Sequence, residues 1–135
     1  MAYADRDDVD DVFGSDNVDT WADLDNDQDA GKITARITRA LTWAEAYVDG
    51  RLLGGPYGIP FSSAPTVITD ATATFAGVWL YEGRGVDDYD ASKGKQSHNL
   101  QWHRKRAEDV LDKVLDGRLA FAISPEVEDF PVVVK

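Results

Sequence analysis

Residues 32–53, which read KITARITRALTWAEAYVDGRLL, decide how the rest of the chain can fold. Their apolar side chains recur every three or four positions, which predicts an amphipathic α-helix of about four turns with one buried face. The face comprises Ile33, Ile37, Ala40, Leu41, Ala44, Tyr47 and Val48. Pro56 and Pro60 come next, so we expect the helix to end before them. We interpret this helix as the centre of the core.

Three further helices and one short helical turn are expected around it. Each has apolar residues at helical spacing, and Gly14, Pro65 and Gly117 mark helix ends or starts. The helices cover residues 5–13, 65–81 and 97–116, and the turn covers residues 16–24. Loops rich in Gly and Pro or in polar residues separate them, at 54–64 and 86–97. The predicted fold is therefore all-α, a small bundle of about four helices with long loops.

The period of the sequence changes after Gly117. Leu119, Phe121 and Ile123 alternate with smaller or charged residues, which is typical of a β-strand. A second apolar run, FPVVV, carries Phe130, Val132 and Val134. A lone strand needs partners for its backbone groups, so we expect an extended C-terminal arm that pairs with a neighbouring subunit or protein. The alternative is a frayed tail. The expected division is a helical domain at 1–118 and the arm at 119–135.

The composition is strongly acidic. Among the 135 residues, 20 Asp and 5 Glu against only 6 Lys and 8 Arg leave a net charge of −11. This balance disfavours a surface that grips nucleic acid, which needs clustered cations, and suits one that DNA must pass without sticking. Excess carboxylate with little Lys also favours a salt-loving host, because molar salt screens charge within about 3 Å. The chain has no cysteine, so it has no disulfide or thiolate site, and we expect neither a signal peptide nor a membrane span.

The loop DLDNDQDAG, residues 23–31, presents alternating carboxylates that resemble a calcium loop. An EF-hand needs Gly at its sixth position and Glu at its twelfth, and neither register of this loop supplies them. We therefore expect a solvated acidic loop that caps the long helix and no bound cofactor. A calcium-binding interaction module remains the alternative function. Its candidate ligands are Asp23, Asp25, Asp27 and Asp29.

Trp43 lies at one edge of the long helix, beside Arg36 and Arg39 on successive turns. Trp and Arg are common anchors of protein interfaces, so these three residues are a candidate subunit contact. The alternative is that Trp43 completes the core while the arginines stay in water. A third class, a small acid–base enzyme using His103, lacks any combination of nucleophile, base and orienting group. His98 and His103 are five residues apart and cannot share a metal on one straight helix. We expect no enzymatic activity.

The order of short motifs resembles the small head–tail adaptor, or head-completion, proteins of tailed phages, close to the Mu-type group. The resemblance covers residues 3 to about 119. It is carried by Tyr3, Ala4, Arg6, Asp7, Asp8, Val9, Phe13, Gly14, Gly31, Ala40, Leu41, Ala44, Val48, Asp49, Gly50, Leu52, Gly54, Tyr57, Pro60, Pro65, Ala71, Ala76, Leu80, Tyr81, Ala107, Leu111, Gly117 and Leu119.

The resemblance implies a structural virion protein at the neck, where head and tail meet. It implies a homo-oligomeric ring, usually of twelve copies, that is assembled in the host cytoplasm and docks on the portal protein. Such a ring extends the DNA channel and offers a platform to a stopper or tail-completion protein, while DNA passes without specific binding. The acidic loops are then candidates for the channel wall, through Asp25, Asp27 and Asp29 or through Asp87 and Asp88.

Three features depart from the family pattern. Gly55, Pro56 and Tyr57 replace the expected Arg-Tyr pair and add one residue. The loop at 84–97 is longer and more polar than the family pattern, and the apolar arm lies beyond the resemblance. These departures bear on loop contacts more than on the fold.

Overall fold

The computed structural model describes residues 2–84, 89–90, 95–96 and 99–118, which form five α-helices and one short β-ladder. The helices are α1 (Arg6–Phe13), α2 (Ser15–Ala22), α3 (Ala30–Leu52), α4 (Thr66–Gly83) and α5 (Asn99–Leu115). β1 (Tyr89–Asp90) pairs antiparallel with β2 (Lys95–Gln96), a two-residue ladder that was not expected in the connection between α4 and α5. The prediction of a small all-α bundle is confirmed for the described core.

The helix boundaries follow capping residues that are visible in the sequence. Asp5 and Asp8 form a reciprocal capping box at the start of α1. Gly14 ends α1 with a φ of 90°, a conformation that costs glycine little, and the next residue begins α2. The side chain of Asp29 accepts the N–H of Lys32 and caps α3. Pro65 precedes the first turn of α4.

Both long helices contact all the others, but α4 is more enclosed than the helix at residues 32–53, which we interpreted as the centre. α4 packs against each of the other four helices on nearly all its sides, whereas α3 contacts all four through one buried stripe. The buried residues of α4 lie on nearly all its sides: Ile68, Ala71, Thr72, Ala73, Phe75, Ala76, Gly77, Val78 and Leu80. A helix that is surrounded by others is apolar on most sides and so shows no clear one-sided stripe. The periodicity of its sequence therefore does not reveal how deeply it is buried.

Threonines in α4 fit the core because their hydroxyls find partners. The Thr72 hydroxyl, 1% exposed as a residue, donates to the Ile68 carbonyl at 2.8 Å. The Thr69 hydroxyl donates to the Tyr3 carbonyl at 2.8 Å. Satisfied hydroxyls remove most of the cost of burying a polar group, so tertiary packing holds a helix that propensity alone disfavours.

The smaller helices correct one detail of the expected packing. α2 is a full two-turn helix, and it buries Val18 and Ala22. Leu24, the last residue of the helical turn predicted at 16–24, is 44% exposed because α2 ends at Ala22. α5, which lies within the helix predicted at 97–116, buries Leu111 and Val114 fully. Within the described ranges, no helix combines the length and apolarity needed to cross a membrane.

Candidate functional site

A row of stacked rings and guanidinium groups runs along α3 and α4, and we call it the aromatic–arginine ridge. Its members are Arg36, Trp79, Trp43, Tyr47 and Arg51. The Trp43 ring stacks on Tyr47 with centroids 5.2 Å apart and planes at 10°, and on Trp79 at 6.4 Å. The Arg36 guanidinium carbon lies 4.1 Å from the centre of the Trp79 ring, within cation–π range. Trp43 is 38% exposed, so the ridge combines stacked packing with an open edge.

The two ends of the ridge differ electrostatically. Arg51 forms ion pairs with Glu108 and Asp112 of α5, and the Tyr47 hydroxyl donates to Glu108 at 2.7 Å. At the other end, Arg36 packs against the backbone of Gly83, and a methyl group there would overlap its guanidinium. Its buried Nε has no hydrogen-bond partner among the described residues. Among the described residues, the Arg36 end therefore has no carboxylate partner, whereas the Arg51 end is neutralised.

Arg39 lies three residues after Arg36 and four before Trp43, which places it on the same face of α3. Its side chain is exposed, and within the described part of the chain it has no ion pair or hydrogen bond. Arg36 and Arg39 also line a surface hollow of about 570 Å³ together with Asp23, Asp25, Lys32 and the exposed Leu24. The structure thus brings the three predicted interface residues to one surface. Sequence reasoning missed Trp79, which nothing in the sequence links to Trp43.

Two carboxylates of the acidic loop form ion pairs with the side-chain ammonium group of Lys32. Lys32 Nζ lies 2.8 Å from Asp27 Oδ2 and 3.1 Å from Asp25 Oδ2. The hydrogen bond from Lys32 lowers the pKa of Asp27, and the bonds to Asp27 and Asp25 raise the pKa of Lys32. The Asp23 carboxylate instead accepts backbone N–H groups of the loop, at 3.2 Å and 3.0 Å, and Asp29 caps α3.

This arrangement bears on the calcium alternative. The carboxylates of the candidate ligands face Lys32 or backbone amides, so a cation would have to displace these partners. Among the described residues, no three His, Cys, Asp or Glu side chains gather where they could hold a metal ion.

Arg84 fastens the acidic loop to the end of α4. Its Nη1 donates to the carbonyl oxygens of Thr20 at 2.7 Å and Asp23 at 2.6 Å, and its Nη2 donates to Asn26 Oδ1 at 3.2 Å. These bonds satisfy carbonyls at the C-terminus of α2, where a cation also meets the negative end of the helix dipole. Sequence reasoning assigned Arg84 no role, because its partners are about sixty residues away in the chain.

An open groove of about 460 Å³ lies between α1, α4 and α5, and we call it the α1–α4–α5 groove. Its floor is apolar, with Val12, Val67 and Val110. Asp11 and Asp70 stand on the α1 and α4 side, and His103 and Arg106 stand on the α5 side. The His103 ring meets Phe13 edge-on at 5.3 Å, which is a packing contact.

Comparison with protein families identifies the chain. The model of the family described as "Bacteriophage Mu, Gp36" matches residues 3–131, nearly its whole length. The chain belongs to the bacteriophage Mu Gp36 family. It is therefore a phage protein of the virion or its morphogenesis. No curated protein matches it.

The Gp36 family match runs to residue 131, past the expected end of the resemblance near residue 119, so it includes much of the C-terminal arm. Some predicted sites lie outside the described residues. The predicted contacts of the C-terminal arm fall there, as do the second pair of channel candidates and one histidine: Leu119, Phe121, Ile123, Phe130, Val132, Val134, Asp87, Asp88 and His98. Among the residues that carry the expected resemblance and are described, Tyr3, Val9, Ala40, Ala44 and Leu111 are buried in the core.

Proposed function

We propose that this chain is a head–tail adaptor that forms a ring, usually of twelve copies, beneath the portal of a filled capsid. The observation that carries the proposal is the match to a phage Mu family over residues 3–131 of 135. The ring extends the DNA channel and gives the stopper or tail-completion protein a surface to bind. Its location is the neck of the virion, and its role is structural rather than catalytic.

The charge of the chain supports a channel role. A net charge of −11 repels the phosphate backbone, so DNA can slide past without being held. The acidic loop supplies a wall of this kind through Asp25, Asp27 and Asp29, and Arg84 holds its backbone in place. Lys32 neutralises part of the loop but leaves carboxylates in excess. Asp87 and Asp88 are the second candidate wall.

The surface of α3 supports self-assembly. A ring requires heterologous contacts, in which one patch of a subunit meets a different patch of the next. The surface formed by Arg36, Arg39 and Trp43 offers cations and an exposed aromatic edge of the kind that anchors interfaces. The strand-forming arm at 119–135 is the second candidate for contact with a neighbour.

The Asp-rich, Lys-poor composition also supports a host that grows in high salt, such as a haloarchaeon.

Electron microscopy of the purified protein mixed with the portal of the same virus tests the proposal. We expect rings bound to one end of the portal that lengthen its channel, and labelled copies of this chain at the neck of intact particles. The portal alone is the control for ring density. A protein that stays monomeric in the presence of portal, or that labels the tail tip instead of the neck, would contradict the proposal.

A further inference from the structure

Two surfaces of the described chain each carry a pair of like charges that have no partner, arginines on one and aspartates on the other. Arg36 and Arg39 have no carboxylate partner in the described part of the chain. The exposed carboxylates of Asp11 and Asp70, on the α1–α4–α5 groove, likewise have no hydrogen-bond or ion-pair partner among the described residues. Most other acidic groups of the described bundle form an ion pair or accept a hydrogen bond. Arg6 pairs with Asp10 and Asp19, Lys32 pairs with two carboxylates of the acidic loop, and Arg51 pairs with two carboxylates of α5.

The two surfaces lie on different sides of the bundle. On α5, Glu108 faces the ridge, where it meets Tyr47 and Arg51, whereas Arg106 and Val110 face the groove. One surface therefore cannot reach the other within a single copy. Two copies can bring them together, and such a contact is heterologous, leaving the second surface of each copy free for the next.

The carboxylates of Asp11 and Asp70, on the α1 and α4 side of the groove, form what we call its acidic wall, and the cation Arg106 stands on the α5 side. Only the acidic wall suits a pair of arginines, so charge fixes the orientation of the docked surface as well as its partner. The apolar floor of the groove can cover the exposed edge of Trp43, which would remove apolar area from water.

We propose that the surface formed by Arg36, Arg39 and Trp43 docks on the acidic wall, Asp11 and Asp70, of the α1–α4–α5 groove in a second copy of this chain. The inference rests on the proposed ring, because it names the two halves of the contact between subunits. It concerns the contact between copies alone, so it is measured without portal.

Charge exchange tests this contact by sedimentation of the purified protein at low ionic strength. We expect Arg39→Glu to weaken self-association by about tenfold or more, because it sets like charges face to face. Asp11→Arg should weaken it similarly, although it reduces the net negative charge of the chain. A chain that carries both substitutions should regain association, since the two exchanged charges would again be opposite across the contact. Lys113→Glu, at another exposed cation, has the same net charge as Arg39→Glu and is the matched control.

Because the chain has no cysteine, introduced cysteines can be cross-linked selectively, which allows a second, independent measurement. Arg39→Cys and Asp70→Cys are made in separate chains, mixed, and treated with a short thiol-specific cross-linker. We expect a cross-linked pair from the mixture and little from Lys113→Cys mixed with Asp70→Cys. All substituted positions are exposed, so circular dichroism should show unchanged folding.

Three results would overturn the contact: a wild-type chain that stays monomeric at millimolar concentration, equal effects of Arg39→Glu and Lys113→Glu, or equal cross-linking of the two mixtures. Rings on the portal with no preferred link between positions 39 and 70 would retain the adaptor function and reject this contact. Preferred links without portal binding would retain the contact and reject the adaptor function.

Discussion

The hydroxyl of Tyr3 donates a hydrogen bond to Asp49 Oδ1 at 2.5 Å, which ties the beginning of the described chain to the last turns of α3. The same hydroxyl oxygen accepts the backbone N–H of Phe61 at 2.9 Å, and the Tyr3 backbone N–H donates to Glu45 at 2.6 Å. One side chain thus joins the N-terminal segment, α3 and the loop before α4. The residues that carry this junction are 42 to 58 positions apart in sequence.

Tyr3→Phe should destabilise the protein by about 2 kcal/mol, because the buried N–H of Phe61 loses its acceptor. The free energy of unfolding in urea measures the change. Asp49→Asn is the matched control, since the amide oxygen can still accept the Tyr3 hydroxyl, and it should cost less. Equal stability of Tyr3→Phe and wild type would show that the junction does not hold the segment in place.

Stability at alkaline pH should depend on the same hydroxyl. Burial, followed by the hydrogen bond to Asp49, raises the pKa of Tyr3 above its ordinary value. In the unfolded chain this hydroxyl ionises near pH 10, so its contribution is complete below about pH 10 and is lost as pH rises toward the folded-state pKa. The difference in unfolding free energy between wild type and Tyr3→Phe should therefore shrink above about pH 10. A constant difference to pH 11.5 would contradict this linkage.

Two helical glycines form a matched pair for thermal denaturation. A methyl group at Gly77 would overlap the Phe13 ring, which Trp21 and His103 hold edge-on at 5.4 Å and 5.3 Å. An overpacking cost of about 1–3 kcal/mol should exceed the roughly 1 kcal/mol that Ala gains over Gly in a helix.

A methyl group placed on Gly50 of α3 would meet no described atom within 4 Å beyond its chain neighbours and the adjacent backbone of the helix. Gly50→Ala should therefore stabilise by about 0.5–1 kcal/mol, whereas Gly77→Ala should destabilise. A stabilised Gly77→Ala variant would show that the Phe13 ring moves aside readily, which would contradict the close approach of α1 to α4.

Calcium should produce no heat in calorimetry at millimolar concentration, because Lys32 already occupies Asp25 and Asp27. Magnesium is the control for nonspecific attraction of divalent cations to an acidic protein. Heat that is specific for calcium and saturates at one site per chain would contradict this expectation and restore the calcium-binding alternative.

Salt should stabilise the chain. Raising the ionic strength from about 0.1 M to 1 M shortens the screening length from about 10 Å to 3 Å, which weakens the mutual repulsion of a protein with a charge of −11. The urea midpoint should therefore rise in potassium chloride. The exposed ion pairs of Lys32 weaken in salt but contribute little, so they should not reverse the sign. A fold whose stability is already complete without added salt would argue against a high-salt host.

Much of the fold could be predicted because its signals are local. α1 ends at Gly14 and α4 begins after Pro65, as these residue types predict. The spacing of Ile33, Ile37 and Ala40 predicts the buried stripe of α3 correctly. The greater enclosure of α4 was not predicted, for a physical reason. α3 has a polar face and so a clear period, whereas α4 uses small residues such as Ala73 and Gly77 to accept neighbours on every side.

The candidate site was predictable in part. Trp43 and its two arginines were identified from residue type and helical spacing, which are properties of one element. The ridge itself depends on Trp79 from another helix and on Gly83, which has no side chain that would collide with Arg36. No spacing rule connects these positions to Trp43. The same applies to Arg84, whose partners are the carbonyl oxygens of Thr20 and Asp23.

By itself, the sequence determined an acidic, helical chain, the ends of most of its helices and the resemblance to phage adaptors, because caps, periodicity and charge depend on neighbouring residues. Tertiary structure decided which helix is most enclosed and which charges remain unpaired. It set the Tyr3 hydroxyl against Asp49 and placed Lys32 between two aspartates. These outcomes depend on how helices pack, and packing brings together residues whose separation along the chain carries no signal.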